Sequence, residues 1–548
     1  MTVNTKKEKK AAVKLGKNAV VKSAETHLNF MAGTSYDISS PILKLICVSA
    51  SSFFGEPSYY KGEGLKTKPN RLGRHFNDRS ISDSERKILR KTLDAIDDYE
   101  WRNLTPAETM KRAILEALDH DPEATLQWAA TLRRDENIRT TPQVILVLAA
   151  NHPKLKGSGL VRSYAKQIIQ RLDEPAVQLA YQLSEIGKPI PNSLKRSWAD
   201  ALKGAKGYQL AKYRMENRIV KTVDVANLAF GKGVYGFKNE LGDLMRGDLS
   251  LGEEYQTWES IRSSGGSWEK AIEVMGHMAL LRNIRGFMEN KVPTDLWLKK
   301  LVSTASTGRQ LPFRYLSAHI ANQGAPGKVL DAIEECLEIS LCNLPVLNGR
   351  SLVLTDNSGS AQSCPVSQLS TMRVAQIGNL MGVLTGRISD DGVVGVFGDR
   401  LKYLPIRKKA SIMDQTRELD QIGRGIGGGT ETGIWLALAA AIKEKQHWDN
   451  IFIYSDMQAG HGGLYGSNPS EYKNYLWNGH NRIDVAKLIS EYRSKVNPKV
   501  NVFLVQIAGY EDTLLPEYYK RTYIIGGWSG SIFQFAKRMI DTADQFNQ

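Results

Sequence analysis

The sequence predicts a two-part protein: a long, basic, all-helical region followed by a doubly wound, mainly parallel α/β domain. Three observations predict it. Apolar residues recur with a helical period from about residue 84 to 345, short apolar strands alternate with helices from residue 346 onward, and three oxygen-rich loops follow those strands. At 548 residues the chain is well past the roughly 250 to 300 at which a single core stops growing, so at least two domains are expected. A hydrophobic fraction of 42% beside 24% charged residues lies near the globular average and argues against general disorder.

The helical region is marked by its start signals. Thr105-Pro106-Ala107-Glu108 is a capping box with proline in the first turn, and Met110, Ala113, Ile114, Ala117 and Leu118 follow as one apolar stripe. Asp121-Pro122 and Thr141-Pro142 open two further helices, and Val329, Ala332, Ile333, Cys336 and Leu337 repeat the stripe near the region's end. Short amphipathic helices joined by proline-marked turns suggest stacked helix pairs of the HEAT type, without a clean sequence period.

The pattern changes at Pro345-Val346-Leu347. Ser351 to Leu354, Val393 to Phe397, Ile451 to Tyr454, Val500 to Gln506 and Tyr523 to Ile525 read as strands. Leu436 to Ile442, Val485 to Tyr492 and Ile532 to Met539 read as helices. The chain is thus divided into a basic tail (1–27), a helical region (28–345) and an α/β domain (346–548).

In a sheet of this kind ligands gather at the carboxyl ends of the strands. The first strand runs into Asp356-Asn357-Ser358-Gly359-Ser360, a DxSxS pattern with one carboxylate and two hydroxyls on a tight loop. Gly427-Gly428-Gly429-Thr430 brings a hydroxyl to the start of a helix, and Ser455-Asp456 places a second carboxylate directly after a strand. Two carboxylates and three hydroxyls suit a hard cation such as Mg²⁺ that keeps an open position for an acidic ligand. Alone, DxSxS reads rather as a capped turn before a helix; three matching loops in the right order favour the metal. Glu431 reads as a first-turn helix carboxylate.

Charge is unevenly distributed. The net charge is +15 and the pI about 9.3; Lys and Arg outnumber Asp and Glu by 51 to 39 up to residue 345 and by only 22 to 19 beyond it. An excess of this size points to an anionic partner. It is concentrated between Ser193 and Lys221, where Lys195, Arg196, Lys203, Lys206, Lys212, Arg214, Arg218 and Lys221 face only Asp200 and Glu216. With Leu194, Trp198, Ala201, Leu202 and Ala205 as the apolar stripe, Lys195, Arg196, Lys203 and Lys206 fall on the outward side, and Tyr208 and Tyr213 are available for stacking on bases. The competing reading is a solvated helix face, with Trp198 in the core.

Four cysteines (Cys47, Cys336, Cys342, Cys364) form no CxxC pair and read as buried small hydrophobes of a reducing compartment. No signal-like segment or membrane-length apolar run is evident, so a cytoplasmic protein is expected. No GxSxG, HExxH, Walker loop or Cys/His nucleophile pair is found, and His277, His319 and His461 read as isolated core or surface histidines. The expectation is a binding protein, not an enzyme.

The five ligand positions Asp356, Ser358, Ser360, Thr430 and Asp456 resemble the metal-ion-dependent adhesion site of von Willebrand A domains. Together with Asn29-Phe30-Met31-Ala32-Gly33-Thr34-Ser35-Tyr36, Ser51-Ser52-Phe53-Phe54-Gly55-Glu56-Pro57 and Ala279-Leu280-Leu281-Arg282-Asn283-Ile284-Arg285, they make the chain resemble the Ro autoantigen family, in particular bacterial Ro-like proteins with a TROVE module. The resemblance implies a ring of HEAT-like helices closed by the A domain. It implies small Y RNAs on the basic outer surface, ends of misfolded or structured RNA in the central hole, a tethered polynucleotide phosphorylase and a monomeric chain. Arg282 and Arg285 are candidates for the hole lining or, equally, structural ion-pair partners. The N-terminal lysines are either an RNA-contacting arm or a solubilising tail. A protein-binding adaptor that captures an acidic partner residue at the metal is the alternative function.

Overall fold

The computed structural model describes residues 26–28, 34–38, 40–51, 106–136, 138–214, 218–249, 256–308, 310, 312–341, 344–363, 372–457, 485–508, 512–514, 521–528 and 531–542. The lysine-rich N-terminus, most of the segment 29–36, residues 52–57, Cys342, Cys364 and His461 lie outside them. The chain divides into two compact units, Ile114–Asn343 and a second made of Met1–Ala113 with Leu344–Gln548.

Among its described residues the first unit is built of helices and turns. It opens within the helix Pro106–His120, which buries the predicted stripe of Met110, Ala113, Ile114, Ala117 and Leu118. The next, Pro122–Arg134, starts as the sequence requires: Pro122 occupies its first turn and Asp121 Oδ1 accepts from the Ala124 amide at 3.0 Å. Helix Thr140–Asn151 is buried almost all round, which marks it as an interior element.

Most of these helices pack on the next helix along the chain, on the one after it, or on both. Pro122–Arg134 meets Thr140–Asn151 and Leu160–Ile168, Thr140–Asn151 meets Glu174–Glu185, Leu160–Ile168 meets Asn192–Lys203, and Glu174–Glu185 and Asn192–Lys203 both meet Thr222–Phe230. The pattern recurs from Trp258–Ser263 to Gly327–Leu341. Stacked helix pairs bury each stripe against its neighbours in this way.

In the second unit six strands form one sheet: β3 (Leu347–Asp356), β4 (Ser389–Phe397), β5 (Leu401–Pro405), β6 (Asn450–Ser455), β7 (Asn501–Gln506) and β9 (Thr522–Gly526). Their order is β5-β4-β3-β6-β7-β9, parallel except for β5, which turns back along β4 as an edge strand ending on proline. The five predicted strands are present; β5 was not expected.

Both faces of the sheet are covered. Leu352, Leu354, Ile451, Ile453, Val502 and Leu504 face the helices Glu431–Lys443 and Val485–Lys495 through Ile434, Leu438, Leu488 and Ile489. On the other face lies Val374–Ile388, held so close to β3 that a Cβ on Gly382 would sit 2.4 Å from Thr355 Cγ2. Strands buried on both sides read as continuous apolar runs, as these do.

The N-terminal segment is where structure and expectation differ. The helical region was expected to begin at residue 28, but β1 (Thr26–Leu28) pairs with β2 (Thr34–Asp37), and β2 pairs with β8 (Asp512–Thr513) of the α/β unit. Helix Pro41–Ser51 lies on β9, with the Cys47 backbone so near Gly526 that a Cβ there would meet Cys47 Cα at 2.3 Å. The cause is burial: Ile38 and Cys47 are inside the sheet's own apolar core. The helical unit is therefore an insertion within the chain of the α/β unit.

Candidate metal centre and basic helical face

The strand order reverses between β3 and β6, which run parallel side by side with Thr355 opposite Tyr454. Side chains following the ends of these two strands converge, as at other topological switch points. Asp356 closes β3 and Asp456 follows β6; both are fully buried.

A chain of hydrogen bonds links four of the five predicted ligands. Ser360 Oγ donates to Asp456 Oδ2 at 2.8 Å, Ser358 Oγ and Ser360 Oγ lie 3.1 Å apart, and the Ser358 amide donates to Asp356 Oδ1 at 2.8 Å. The fifth, Thr430, is buried at the start of helix Glu431–Lys443. Its loop is joined to the DxSxS turn through the Gly359 amide, which donates to Gly428 O at 3.1 Å. That glycine loop is pinned from outside by Asp399, whose two oxygens accept from the Gly428 and Gly429 amides at 2.9 and 2.7 Å, with Gly427 at φ 96° to make the turn. Those two amides are thereby engaged by a carboxylate of the protein itself.

Burial pushes the Asp356 carboxyl above its ordinary range, against hydrogen bonds from Ser455 and Ser358 that pull it down. Among the described residues it forms no ion pair. A buried carboxylate held by hydroxyl and amide donors fits a cation as the compensating charge. Among the described residues no group of three or more His, Cys, Asp or Glu is arranged to hold a metal, so the donor set here depends on hydroxyls beside two carboxylates. That set is hard, oxygen-only and weakly charged, which suits Mg²⁺.

Behind the loop lies a polar network that sequence reading missed. Asn357 and Asn379 exchange amide hydrogen bonds at 2.9 and 3.0 Å, Gln362 Nε2 donates to Asn357 Oδ1 at 2.6 Å, and Arg373, which also contacts Gln362, forks onto both oxygens of Asp420 at 2.8 Å. A Cβ on Gly423 would sit 2.0 Å from Asn357 Oδ1, so the helix Ile412–Arg424 approaches the loop as only glycine permits. The one local signal was the amide-rich spacing of Asn357 and Gln362 around the DxSxS residues.

On the helical unit, Trp198 is fully buried with Nε1 donating to Gln178 Oε1 at 2.7 Å, so it is core and not a base platform. Arg196, Lys203, Lys206 and Lys212 are exposed and Lys195 is half-buried. Two further exposed cations, Arg162 and Lys166, come from the adjacent helix Leu160–Ile168, which packs on Asn192–Lys203. Arg162 binds Asp200 through both carboxylate oxygens at 2.7 and 2.8 Å and, with Lys166 and Lys203, holds that carboxyl below its usual range. The result is a ridge of Arg162, Lys166, Arg196 and Lys203 around a single acid. The i,i+4 spacing of Arg162 and Lys166 was visible in the sequence; their neighbour was not.

The remaining candidates are placed less freely. Arg214 is half-buried with Nη2 donating to Leu249 O at 3.3 Å. The Tyr213 ring carries the Arg171 guanidinium 4.7 Å above its centre, so that face is covered, whereas Tyr208 is 39% exposed. Arg282 and Arg285 are exposed on helix His277–Glu289, and Arg285 forms a surface pair with Glu289 at 3.5 Å. His277 is a core residue, bonded to Leu301 O at 3.1 Å and to the Tyr315 hydroxyl at 3.0 Å.

A stack of helix pairs is thus set into the chain of a doubly wound α/β unit. Among solved structures the chain is similar to the Ro (RSR) protein of Deinococcus radiodurans, with a TM-score of 0.53 at 14% identity over 78% of this chain and 93% of that one. At that identity the likeness is one of fold. The chain matches no family model and no curated protein. Among the described residues no helix is long and apolar enough to cross a membrane.

Proposed function

We propose that this protein is a Ro-type RNA-binding component of a ribonucleoprotein that binds rather than catalyses. The observation that carries the proposal is the exposed ridge of Arg162, Lys166, Arg196 and Lys203 on two packed helices. Cations on a rigid surface suit a row of phosphates, and the likeness of fold to a Ro protein supports the same reading. The RNA is a small structured transcript of the Y type, with ends of misfolded RNA as a second ligand, and a nuclease such as polynucleotide phosphorylase joins through the RNA. Arg282 and Arg285 on a separate helix are the candidates for the second ligand.

In the α/β unit Asp356, Ser358, Ser360, Thr430 and Asp456 are the residues to hold Mg²⁺. Bound there, the ion supplies a Lewis-acid position for an acidic group of a ligand.

Two measurements test the scheme. If about six phosphates are neutralised, RNA affinity falls on the order of a thousandfold between low and moderate salt. Replacing Arg162, Lys166, Arg196 and Lys203 together by Ala is expected to weaken binding and flatten that slope; an unchanged slope removes the ridge from the scheme. Asp356→Ala is expected to abolish Mg²⁺ binding in calorimetry while leaving RNA affinity within about twofold, since the ion lies in a unit separate from the ridge.

A further inference from the structure

Ser455 is the last residue of β6 and is fully buried. Its hydroxyl donates to Asp356 Oδ2 at 2.5 Å and accepts from the Met457 amide at 2.9 Å. One proton and one lone pair are thus committed to protein partners. The other oxygen of Asp356 is committed as well, to the Ser358 amide. The carboxylate is therefore held at both ends, by its own loop on one side and by the neighbouring strand on the other.

The far side of the bridge is an unusual turn. Met457 is a non-glycine residue at φ 60°, a conformation that persists only where surrounding bonds over-determine it. Here the Ser455 hydroxyl takes its amide, and Gln506 Nε2 donates to Asp456 O at 3.1 Å from β7. Asp456 sits inside this turn, between the Ser455 hydroxyl and the Met457 amide it holds, and accepts from Ser360 on the DxSxS loop. One hydroxyl consequently spans the two carboxylate loops, fixing Asp356 directly and Asp456 through the turn.

We propose that Ser455 is a positioning residue for the cation site, setting the separation of the Asp356 and Asp456 loops without itself ligating the ion; this rests on the Mg²⁺ reading above. Mg²⁺ demands a near-ideal octahedron, whereas Ca²⁺ tolerates irregular, wider shells. Loosening the two loops penalises Mg²⁺ more than Ca²⁺. Loss of a direct oxygen ligand penalises both.

The test is calorimetric titration of the full chain with Mg²⁺ alone and with Ca²⁺ alone, for the wild type, Ser455→Ala and Asp356→Ala, with far-UV circular dichroism on the metal-free proteins. The expected result is a folded Ser455→Ala protein whose Mg²⁺ affinity falls about tenfold to a hundredfold, with a clearly smaller loss for Ca²⁺. Unchanged Mg²⁺ affinity overturns the proposal. Equal losses for both ions overturn it too, because they mark a ligand or a general support. A Ser455→Ala chain that fails to fold counts against it, since the bridge is then needed by the sheet itself. If the wild type binds no Mg²⁺, the metal reading fails and the proposal falls with it.

Discussion

Asp356 and Glu174 are both buried carboxyls pushed above their ordinary range by burial, and the protein answers the two differently. Glu174 receives a buried guanidinium: Arg133 Nε and Nη2 reach Oε1 at 2.9 and 2.8 Å, while Oε2 accepts from the Gln170 and Arg171 amides at 2.7 and 3.0 Å. Every lone-pair direction has a donor, so the pair is satisfied where it stands. Removing one partner leaves the other charge stranded in the core. Glu174→Ala is expected to destabilise the helical unit by about 3 to 5 kcal/mol, read from urea unfolding followed by circular dichroism. A loss below about 1 kcal/mol, the range of a surface pair, would show that water reaches Arg133. Asp356 has hydroxyl and amide donors and no cationic partner among the described residues, and this difference separates a structural carboxylate from a candidate ligand.

The elements show which signals survive in a sequence read alone. Helices with a solvated face were legible: Pro106–His120 and Gly327–Leu341 bury the stripes their periodicity predicts. Helix Val374–Ile388 was not, because it is buried on nearly every side and carries glycines at 378, 382 and 386, two of which face a strand or an edge residue at close range. Such a segment has no stripe to detect. The strands of the parallel sheet were found as apolar runs, and β5 was missed because the edge strand Leu401-Lys402-Tyr403-Leu404-Pro405 is short and buries only Leu404. At the candidate metal site the carboxylates and hydroxyls were found through their spacing. Ser455, Asn379 and Arg373 were not, since their contribution is a hydrogen bond to a partner at least 11 residues away in the chain. The basic ridge was half legible for the same reason: Arg196 and Lys203 share a helix, but Arg162 and Lys166 join them through helix packing.

At the scale of the whole molecule the α/β unit is discontinuous in sequence, with Ile114–Asn343 set between its two parts. Ile38, Ile42, Leu45, Cys47 and Val48 are buried, and Ile38 and Cys47 lie in the core that also contains Leu504 and Ile524. Deleting residues 1–51 is expected to destabilise the α/β unit by several kcal/mol, at roughly 1.5 to 3 kcal/mol for each large aliphatic side chain whose burial is lost. Tryptophan fluorescence reports on this unit through Trp435 and Trp448, both in its core. An unchanged melting temperature would mean that the segment is an accessory and not part of the fold.

The pairing of Tyr36 with Thr513 also imposes a schedule on synthesis. A ribosome delivers the chain N-terminal end first, at about 5 to 20 residues per second, so β2 emerges long before its partner β8 exists. The helix pairs, whose partners are close in sequence, are free to form while translation continues. The α/β body must wait until β9 has been made, and until then the apolar stretch around Ile42 and Leu45 lacks the strand it packs against.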